Sequence, residues 1–494
     1  MRFGRLHQFI FHVTPIKRYV KLLKKTLFPL LILVFIAIFS CRVERAQETF
    51  QSVEVENKLY FPAHSVPVKG ELKPPFYFSQ TFSSIEPSQP SSLAGFGGAA
   101  RRVIPPNFSN IGGFFTYCLP YLAVDLPPRA KVLLWKGEDA SGQDSYFSLI
   151  NLDLVAVSAD ATQKIVAALD RRFPDDKLTT SNVNIIATHT HSGPSGLSEN
   201  PFWGAFACDR FVAEYWNYFE SKIIDSYAQA RSSLKKIEFV SQKQGNLSEF
   251  NRTRFPGMAV DSRMLSLEFY NSKEQENDIG CFFIYAVHPT WYSQTSRTLS
   301  SDIPGHLEKA ISHIRGQREC TFFNGAVGNA DSQNAQNIET YSSQFASSFL
   351  ELGKQELQQI KDFKYAQNIL DLPAPKPNLK ACQLEGIDNL VAAKILDQMA
   401  RNTKIGLFSI GNTLFILFPG EAVMPVQEEF ERKIREKYPK YSTVRIISLA
   451  NDYLGYVVDA GHYEEKTLES CSTLYGDGIG ELILNRVLDM LENL

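Results

Sequence analysis

Short apolar runs alternate with amphipathic segments along most of the chain. Five runs have strand length and are rich in β-branched and aromatic residues: YFSLINLDLVAVS, VNIIA, GCFFIYAVH, CTFFNGAVG and IGNTLFILFPG. Four further segments repeat their apolar residues at helical spacing: ADATQKIVAALDRRF, RFVAEYWNYFESKIIDSYAQARSSL, GHLEKAISHI and MPVQEEFERKIREKY. Strands that alternate with helices are typical of an α/β fold, which we predict here with a mixed sheet.

The stretch before this pattern is polar and broken by proline. Residues 42–92 include SSIEPSQPSSL, and we expect a Pro/Ser-rich tether or irregular arm there. The globular texture begins near AGFGGAARRVIPPN, so residues 93–494 are predicted to form the folded part. A length of 494 residues allows two or three domain-sized units or one large catalytic domain.

The composition is ordinary for a globular protein, with 44% hydrophobic and 21% charged residues. The formal net charge is −2. Because nucleic-acid binding usually requires a basic surface, we predict no nucleic-acid partner.

The N-terminus has the pattern of an export signal. Four basic residues, Arg18, Lys21, Lys24 and Lys25, precede an apolar run from Leu27 to Ser40. This run is shorter than the about 20 residues of a membrane-spanning helix and fits the roughly 7–15 residues of a signal-peptide core. Ile38-Phe39-Ser40-Cys41 resembles a loose bacterial lipobox with Cys41 as the lipidated residue.

Residues 1–41 are therefore predicted to be a lipoprotein signal, with a plain signal peptide or an uncleaved membrane anchor as alternatives. The expected location is exported and membrane-associated, in the periplasm or on the cell surface. A lipid anchor would hold the chain on a membrane surface.

The cysteines leave two interpretations open. Seven are present, and if Cys41 is lipidated, the other six allow up to three disulfides. Their wide spacing gives no pairing and contains no C-x-x-C motif. Export would permit disulfides, and buried free thiols are the alternative.

Several apolar runs end in residues that can carry chemistry. These ends hold His189 and His191, His288, Asp331 and Ser332, Glu421, and the segment Asn451–Tyr456. In open α/β sheets, ligands bind beyond the carboxyl ends of the strands. The sequence therefore predicts a functional site where these ends meet.

A metal site is the hypothesis that uses most of these residues. In a strand, residues i and i+2 face the same side, so His189 and His191 are expected to point into one site. His288 and Glu421 can complete the about three protein ligands of a catalytic zinc. Taken alone, His288 is equally a hydrogen-bonded histidine and Glu421 a carboxylate at a helix N-terminus.

Nine motifs, in the same order along the chain, resemble the neutral, non-lysosomal ceramidases. The motif ATHTHSGP is the most specific, and the resemblance runs from about Ala94 to about Met490. The other motifs are AGFGGAARRVIPP, FSLINLDLVAVS, FNRTR, YAVHPTW, TLSSDIPGHLEKAI, NGAVGNADSQN, LFPGEAVMPVQEEFERKIR and LANDYLGYVVDAGHYEEKTLESCSTLYGDG. The resemblance implies a neutral-ceramidase-like α/β catalytic domain over residues 93–494.

The resemblance also implies roles for individual residues. His189, His288, Glu421 and Tyr456 match the ligands of one zinc ion per chain. His191 matches a histidine that handles protons beside the zinc, and Arg252 matches an arginine of the active-site rim. Enzymes of this family hydrolyse the amide of N-acylsphingosine.

Two positions depart from the family pattern. Asp331, with Ser332 beside it, stands where the family has a serine, and both are kept as candidate catalytic residues. Leu468 stands where the family has a tyrosine that donates to the developing oxyanion, a loss that typically costs about 10²–10³ in rate. Tyr463 or Arg252 are the candidates to replace that donor. The family's C-terminal immunoglobulin-like domain is not expected in this chain.

The sequence thus favours a zinc-dependent amidohydrolase acting on ceramide or a related N-acyl lipid, with an amphiphilic substrate and a membrane surface as partners. One alternative is a zinc hydrolase of the same fold that cleaves a different amide or ester. Another is a catalytically weak surface lipoprotein that serves as a binding module.

Overall fold

The structure is a computed structural model. It describes residues 66–96, 101, 118–200, 203, 207–376, 378–382, 399–492 and 494. The chain divides into two units, Met1–Lys58 and Leu59–Leu494, and all described residues lie in the second. The predicted signal segment 1–41 and Cys41 lie outside the described residues. Among the described residues, no helix combines the length and hydrophobicity needed to cross a bilayer.

Strands and helices alternate along the described chain. The strands are β1 (Val68–Ser84), β2 (Ala123–Val124), β3 (Arg129–Glu138), β4 (Asp144–Leu152), β5 (Val183–Ala187), β6 (Lys235–Ile237), β7 (Phe239–Asn246), β8 (Asn251–Thr253), β9 (Arg263–Tyr270), β10 (Gly280–Tyr285), β11 (Thr298–Leu299), β12 (Thr321–Asn324), β13 (Ala330–Ser332), β14 (Gln358–Gln359), β15 (Phe363–Asp371), β16 (Asn402–Ile410), β17 (Thr413–Leu417), β18 (Glu421–Ala422), β19 (Thr443–Ile447) and β20 (Tyr456–Val457). The α-helices are α1 (Ala159–Arg172), α2 (Ala213–Ser232), α3 (Asp302–Ile314), α4 (Ile338–Glu351), α5 (Met424–Lys437), α6 (Leu468–Cys471) and α7 (Ile479–Leu491). A 3₁₀ turn covers Pro174–Asp176.

The strands form two main sheets. A nine-stranded sheet has the order β19-β17-β16-β15-β1-β3-β4-β5, with β6 beside β1, and a five-stranded sheet has the order β12-β10-β9-β7-β14. Three pairs are parallel, namely β4 with β5, β10 with β12 and β17 with β19. The other pairs in these two sheets are antiparallel, so the predicted mixed sheet is confirmed.

Aromatic side chains fill the space between the two sheets. Trp135 and Phe147 of the large sheet share one core with Phe269 and Phe282 of the small sheet. Residues alternate along β3, so that Leu133 and Trp135 face this core while Val132 and Leu134 face the helices. Because both faces of the central strands are buried, these strands appear in the sequence as nearly continuous apolar runs.

Helices cover the outer faces of both sheets. The apolar faces of α1 and α2 pack on β3, β4 and β5, and those of α5 and α7 pack on β15, β16, β17 and β19. Helices α3 and α4 pack on the outer face of the small sheet.

The predicted tether is wrong for its second half. Strand β1 lies inside segment 42–92 and occupies the middle of the large sheet. It pairs with β15 over Val68–Leu72 and with β3 over Tyr77–Ser84, and the register shifts between Lys73 and Tyr77. Pro74 and Pro75 stand at this shift, where a strand tolerates residues that cannot donate to the ladder.

The two edges of the large sheet approach each other beside the predicted site. Ile186 of β5 bridges Ala450, which follows β19. Ala187 donates its N–H to Leu449 at 3.0 Å, and Asn451 donates to the carbonyl of Ile185 at 2.6 Å. The ends of β5 and β19 are thereby held side by side.

All six remaining cysteines are paired. The disulfides are Cys118–Cys208, Cys281–Cys320 and Cys382–Cys471. The structure thus favours the disulfide interpretation over buried free thiols.

A buried ion network supports the segment after β4, on which the site rests. Lys131 Nζ contacts Asp153 Oδ1 at 2.7 Å and Glu308 Oε1 at 2.9 Å, and all three side chains are fully buried. His189 donates its backbone N–H to Leu154 O, one residue beyond Asp153. The network therefore ties the chain that carries His189 to β3 and α3.

Replacing Lys131 with methionine leaves two buried carboxylates without their shared cation. We expect Lys131→Met to lower the free energy of unfolding by about 3–5 kcal/mol, as measured by chemical denaturation. Lys136 pairs with the exposed Asp144, so Lys136→Met is the control and should cost less than about 1 kcal/mol. Equal losses in the two variants would contradict the assigned role of the network.

Candidate metal centre and active site

The carboxyl ends of the three parallel strand pairs meet at one place. His189 follows β5, His288 follows β10, and Glu421 follows β17 as the first residue of β18. Glu421 stands opposite Tyr456 in the parallel pair of β18 and β20. The expectation that strand ends would assemble the site therefore agrees with the geometry.

The side chain of Asn324 joins two of these strand ends. Its Nδ2 donates to Thr188 O at 3.1 Å and to Val287 O at 3.0 Å, and its Oδ1 accepts from Val287 N. Each of those partners directly precedes a histidine of the site. A fully buried amide thus fixes the separation of the backbones that carry His189 and His288.

The reason given for pairing His189 with His191 is wrong, although the two side chains do meet. Strand β5 ends at Ala187, and His189 has a φ of 74°, in the left-handed region. Strand alternation therefore does not align the rings. A non-glycine residue in this region is held there by its surroundings and often marks a functional site.

Backbone carbonyls fix the tautomers of two histidines. His189 Nδ1 lies 2.6 Å from Val155 O, and His288 Nδ1 lies 2.9 Å from Ala330 O. Because a carbonyl oxygen can only accept, each Nδ1 carries the proton of its neutral ring. Each Nε2 therefore presents a lone pair, as a metal ligand must.

These lone pairs converge on one oxygen of Glu421. The Nε2 atoms of His189 and His288 are 3.2 Å apart and lie 3.3 and 3.0 Å from Glu421 Oε2. Oε2 is buried and receives no hydrogen bond. Ligands at zinc bond lengths of about 2.0–2.1 Å stand about 3.3 Å apart in a tetrahedron, so the three atoms fit a metal ion.

The charges of this donor set also fit a cation. Burial, and next the guanidinium of Arg254, lowers the pKa of His288 to about 4, so its ring is neutral at pH 7. The carboxyl group of Glu421 is buried against both rings. The set thus combines a neutral imidazole with a buried carboxylate.

His191 belongs to the same cluster but has a different hydrogen-bond pattern. One ring nitrogen from each of His189, His191 and His288 lies within 4.8 Å of the other two, so three histidines are a second possible donor set. However, Phe96 donates its N–H to His191 Nδ1 at 3.3 Å, which leaves the proton of the neutral ring on Nε2. Glu421 Oε2, and not His191 Nε2, is therefore the third acceptor atom that faces the Nε2 atoms of His189 and His288.

A glycine lets the chain approach the ring of His191. Gly95 has a φ of 121°, and a Cβ at this position would lie 2.9 Å from His191 Nδ1. The ring of Phe96 packs on His191 with centroids 4.5 Å apart. Burial, and next the neighbouring His189 and His288, lowers the pKa of His191 well below its usual value.

Two residues of the centre were missed by the sequence analysis. The hydroxyl of Tyr453 donates to Glu421 Oε1 at 2.5 Å, and its raised pKa keeps that donor protonated. Arg254 Nη2 donates to the Tyr456 hydroxyl and lies 3.1 Å from His288 Nε2. The sequence could have indicated Tyr453, because it is the first tyrosine of the motif NDYLGY. For Arg254 the sequence offered only its position two residues after Arg252.

Three predicted catalytic residues, Arg252, Asp331 and Ser332, lie on the strand pair β8 and β13, apart from the centre. Arg252 contacts Asp331 Oδ2 at 3.1 Å and donates through Nε to Ser332 O, as β8 pairs with β13. Arg252 is half-exposed. Within the described residues, none of the three has a hydrogen bond or ion pair with the histidines, Glu421 or Tyr456.

The positions considered for the oxyanion donor are also placed. Leu468 is 59% exposed and offers no donor. Tyr463, one suggested replacement, donates its hydroxyl to Lys376 O at 3.3 Å. Arg252, the other, is engaged with Asp331 and Ser332.

Aromatic side chains line the region beside the centre. The ring of Trp203 lies 5.1 Å from that of Tyr453, and Phe96 covers His191. A cavity of about 850 Å³ elsewhere is lined by residues such as Gln80 and Arg318 and shares no lining residue with the centre. The donor set, not cavity size, identifies the site.

The fold and the site define a mixed-sheet α/β protein whose strand ends bring together two histidines and a carboxylate able to hold a metal ion. Residues 135–335 match the family model described as Neutral/alkaline non-lysosomal ceramidase, N-terminal. This part of the chain is similar to that family.

Two ceramidases that resemble this chain share about a quarter of the aligned residues with it. Neutral ceramidase 2 of Arabidopsis thaliana is 26% identical over 209 residues, which cover 40% of this chain and 26% of that protein. Neutral ceramidase of Pseudomonas aeruginosa is 24% identical over 194 residues, 36% of this chain and 28% of that protein. The alignments thus span about a quarter of the length of these relatives.

The solved structure of neutral ceramidase from Pseudomonas aeruginosa superposes with a TM-score of 0.67 at 17% identity, covering 84% of this chain and 74% of that one. This likeness confirms the predicted neutral-ceramidase-type fold. The segment matched by the family model contains the three histidines and Arg254, whereas Glu421, Tyr453 and Tyr456 lie beyond it.

Removal of single donors should reduce bound metal in a graded way. We expect His189→Ala and Glu421→Gln to abolish stoichiometric metal binding, because each removes one converging lone pair. Tyr453→Phe removes only the hydrogen bond that orients Glu421 and should weaken affinity about 10–100-fold.

The measurement is elemental analysis of the purified full chain together with chelator competition. The exposed His313 lies on α3, so His313→Ala is the control for loss of a histidine and should keep wild-type metal content. Full occupancy in Glu421→Gln would exclude this carboxylate as a ligand.

Proposed function

We propose that the chain is a zinc-dependent amidohydrolase that cleaves ceramide, or a related N-acyl lipid, to a fatty acid and an amine. The observation that carries the proposal is the unbonded Glu421 Oε2 facing the Nε2 atoms of His189 and His288. The similarity of residues 135–335 to the neutral ceramidases supports amide hydrolysis as the reaction, and the d¹⁰ zinc ion suits this donor set.

The proposed ligands are His189, His288 and Glu421, with Tyr456 beside them as the fourth. The Tyr456 hydroxyl lies 3.2 Å from His288 Nε2. When bound, zinc supplies Lewis acidity that polarises an amide carbonyl and acidifies water. Val155 O, Ala330 O and the Tyr453 hydroxyl keep the ligand atoms oriented.

His191 is proposed to handle the proton. Its Nε2 lies 3.3 Å from His189 Nε2, and its Nδ1 is already engaged by Phe96 N–H. The ring can hand its Nε2 proton to the leaving nitrogen and stay neutral if Nδ1 takes up a proton in the same step. The water that is consumed supplies that proton, and the 3.3 Å contact of Nδ1 with Phe96 N–H gives way. General acid–base groups of this kind contribute about 10²–10⁴ in rate.

The rival reading is a hydrolase of the same fold with a different amide or ester substrate. It is supported by the two departures from the family: Asp331 in place of a serine and the exposed Leu468 in place of a tyrosine. A binding module without catalysis is the remaining alternative, and it gives no reason for lone pairs to converge on a buried carboxylate.

The test is fatty-acid release from a short-chain N-acylsphingosine by the purified full chain, with bound metal quantified. We expect release by the wild type, none by His288→Ala, and a loss of about 10²–10⁴ in kcat with zinc retained in His191→Asn. A water-soluble N-acyl amino acid is assayed in parallel.

Each other outcome selects a different reading. Cleavage of the soluble amide alone would sink the ceramide assignment and favour the rival hydrolase. Zinc binding without either activity would leave a hydrolase of another substrate, and absence of both zinc and activity would favour the binding module.

We also propose that the protein is exported and held at a membrane surface, in the periplasm or on the cell surface. Three disulfides support export, because disulfides persist in oxidising compartments. In a bacterial host, labelled fatty acid should be incorporated into the wild type and not into Cys41→Ser. Equal labelling of the two would remove the lipoprotein reading.

A further inference from the structure

The hydrogen bonds of Arg254 leave part of its guanidinium free beside the candidate centre. Arginine has five N–H groups. Nε donates to Glu469 Oε1 at 2.7 Å, and Nη2 donates to Gly328 O at 3.2 Å and to the Tyr456 hydroxyl. Among the described residues, the two N–H groups of Nη1 have no hydrogen-bond acceptor.

The buried Glu469, which holds Arg254 through Nε, is itself held in place. The carboxylate of Glu469 is 3% exposed, and the arginine side chain is 24% exposed. Glu469 lies in α6, where the Thr467 side chain caps the helix by accepting from Ser470 N. Cys471 of the same helix is bound to Cys382. The guanidinium plane is thereby held in place without filling its last two donors.

The site needs a donor of this kind. Hydrolysis of an amide places negative charge on the carbonyl oxygen, and losing one donor to that oxygen costs about 10²–10³ in rate. Leu468 has no donor group, Tyr463 donates its hydroxyl to Lys376 O, and the hydrogen bonds of Arg252 go to Asp331 and Ser332 and not to a residue of the centre. Arg254 is a cation within 3.1 Å of the ring of a proposed ligand, His288.

We propose that Arg254 is the residue that binds the substrate carbonyl oxygen and stabilises its negative charge, with Glu469 as the positioning residue. This inference rests on the proposed function. The water oxygen bonds to the carbonyl carbon as the π pair moves onto the carbonyl oxygen, which accepts the Nη1 hydrogens. The C–N bond then breaks, the nitrogen takes one proton of the water, and a carboxylic acid and an amine remain; the acid then passes its proton to the amine, which gives a carboxylate and an ammonium.

A purely structural role for the Arg254–Glu469 pair makes different predictions. Such a pair would link β8 to α6, and its loss would lower stability and metal content together. The variants are therefore compared at matched metal content, and small guanidinium compounds are used for rescue, since they can replace a missing donor but not a missing covalent link.

The first experiment measures hydrolysis of the short-chain N-acylsphingosine by the full chain. We expect Arg254→Ala to lower kcat about 10²–10³-fold with a smaller change in KM and wild-type zinc content, and millimolar guanidine to restore part of the rate. Glu469→Gln should show the same kcat-dominated loss in weaker form. Arg231→Ala is the matched control, because Arg231 also pairs with a buried carboxylate, Asp176, at 2.9 Å.

The second experiment does not require turnover. Octylphosphonate carries a tetrahedral anion in place of the reacting carbonyl, and its binding to the zinc-loaded chain is measured by calorimetry. We expect at least a tenfold weaker affinity in Arg254→Ala and no change in Arg231→Ala.

The two experiments separate the two proposals. If the protein binds the phosphonate through Arg254 but hydrolyses no substrate, the proposed function is overturned and the role of Arg254 as an anion donor stands. Hydrolysis and phosphonate binding that are both insensitive to Arg254→Ala would overturn the donor and keep the function. A loss confined to Arg252→Ala, measured alongside, would also overturn it.

Discussion

Two imidazole rings whose Nδ1 atoms face backbone carbonyls must turn unprotonated Nε2 atoms toward each other. This constraint governs the whole site, because neither of these two rings has a proton to place between itself and the buried oxygen of Glu421. A cation resolves the repulsion between those lone pairs. The carbonyls that set the tautomers belong to Val155 and Ala330, so the chemistry of the rings is decided by the backbone around them.

The sheets provide that backbone through close approaches that side chains would prevent. A Cβ on Gly328 would lie 2.8 Å from Glu421 O, and one on Gly420 would lie 2.7 Å from Gly455 O. The loops after β12, β17 and β19 therefore pack backbone against backbone. Asn324 adds the amide bridge between the ends of β5 and β10. The proposed ligand atoms are held at fixed distances from one another because the strand ends that carry them cannot separate.

Much of this arrangement follows from local sequence patterns. Apolar periodicity predicts the sheet and its helices, and chemistry at strand ends predicts His189, His288 and Glu421. The position of β1 cannot be predicted from local patterns, because its prolines are typical of a linker and its partner β15 lies far away in sequence. Arg254 does not follow either. After β8 the chain turns, so Arg252 and Arg254 point to different surroundings, and only the buried Glu469, more than two hundred residues later, shows which arginine enters the site.

The wide spacing of the donors along the chain has a consequence for how the protein folds. His189 and Glu421 follow strands of the large sheet and His288 follows a strand of the small sheet, so the three meet only when both sheets have assembled. Such non-local contacts form slowly, since the entropy of closing long loops opposes them. A partly folded chain would offer a metal ion single histidines and not the complete donor set. Metal capture would therefore be a late event, and the ion would stabilise only molecules that had finished assembling both sheets.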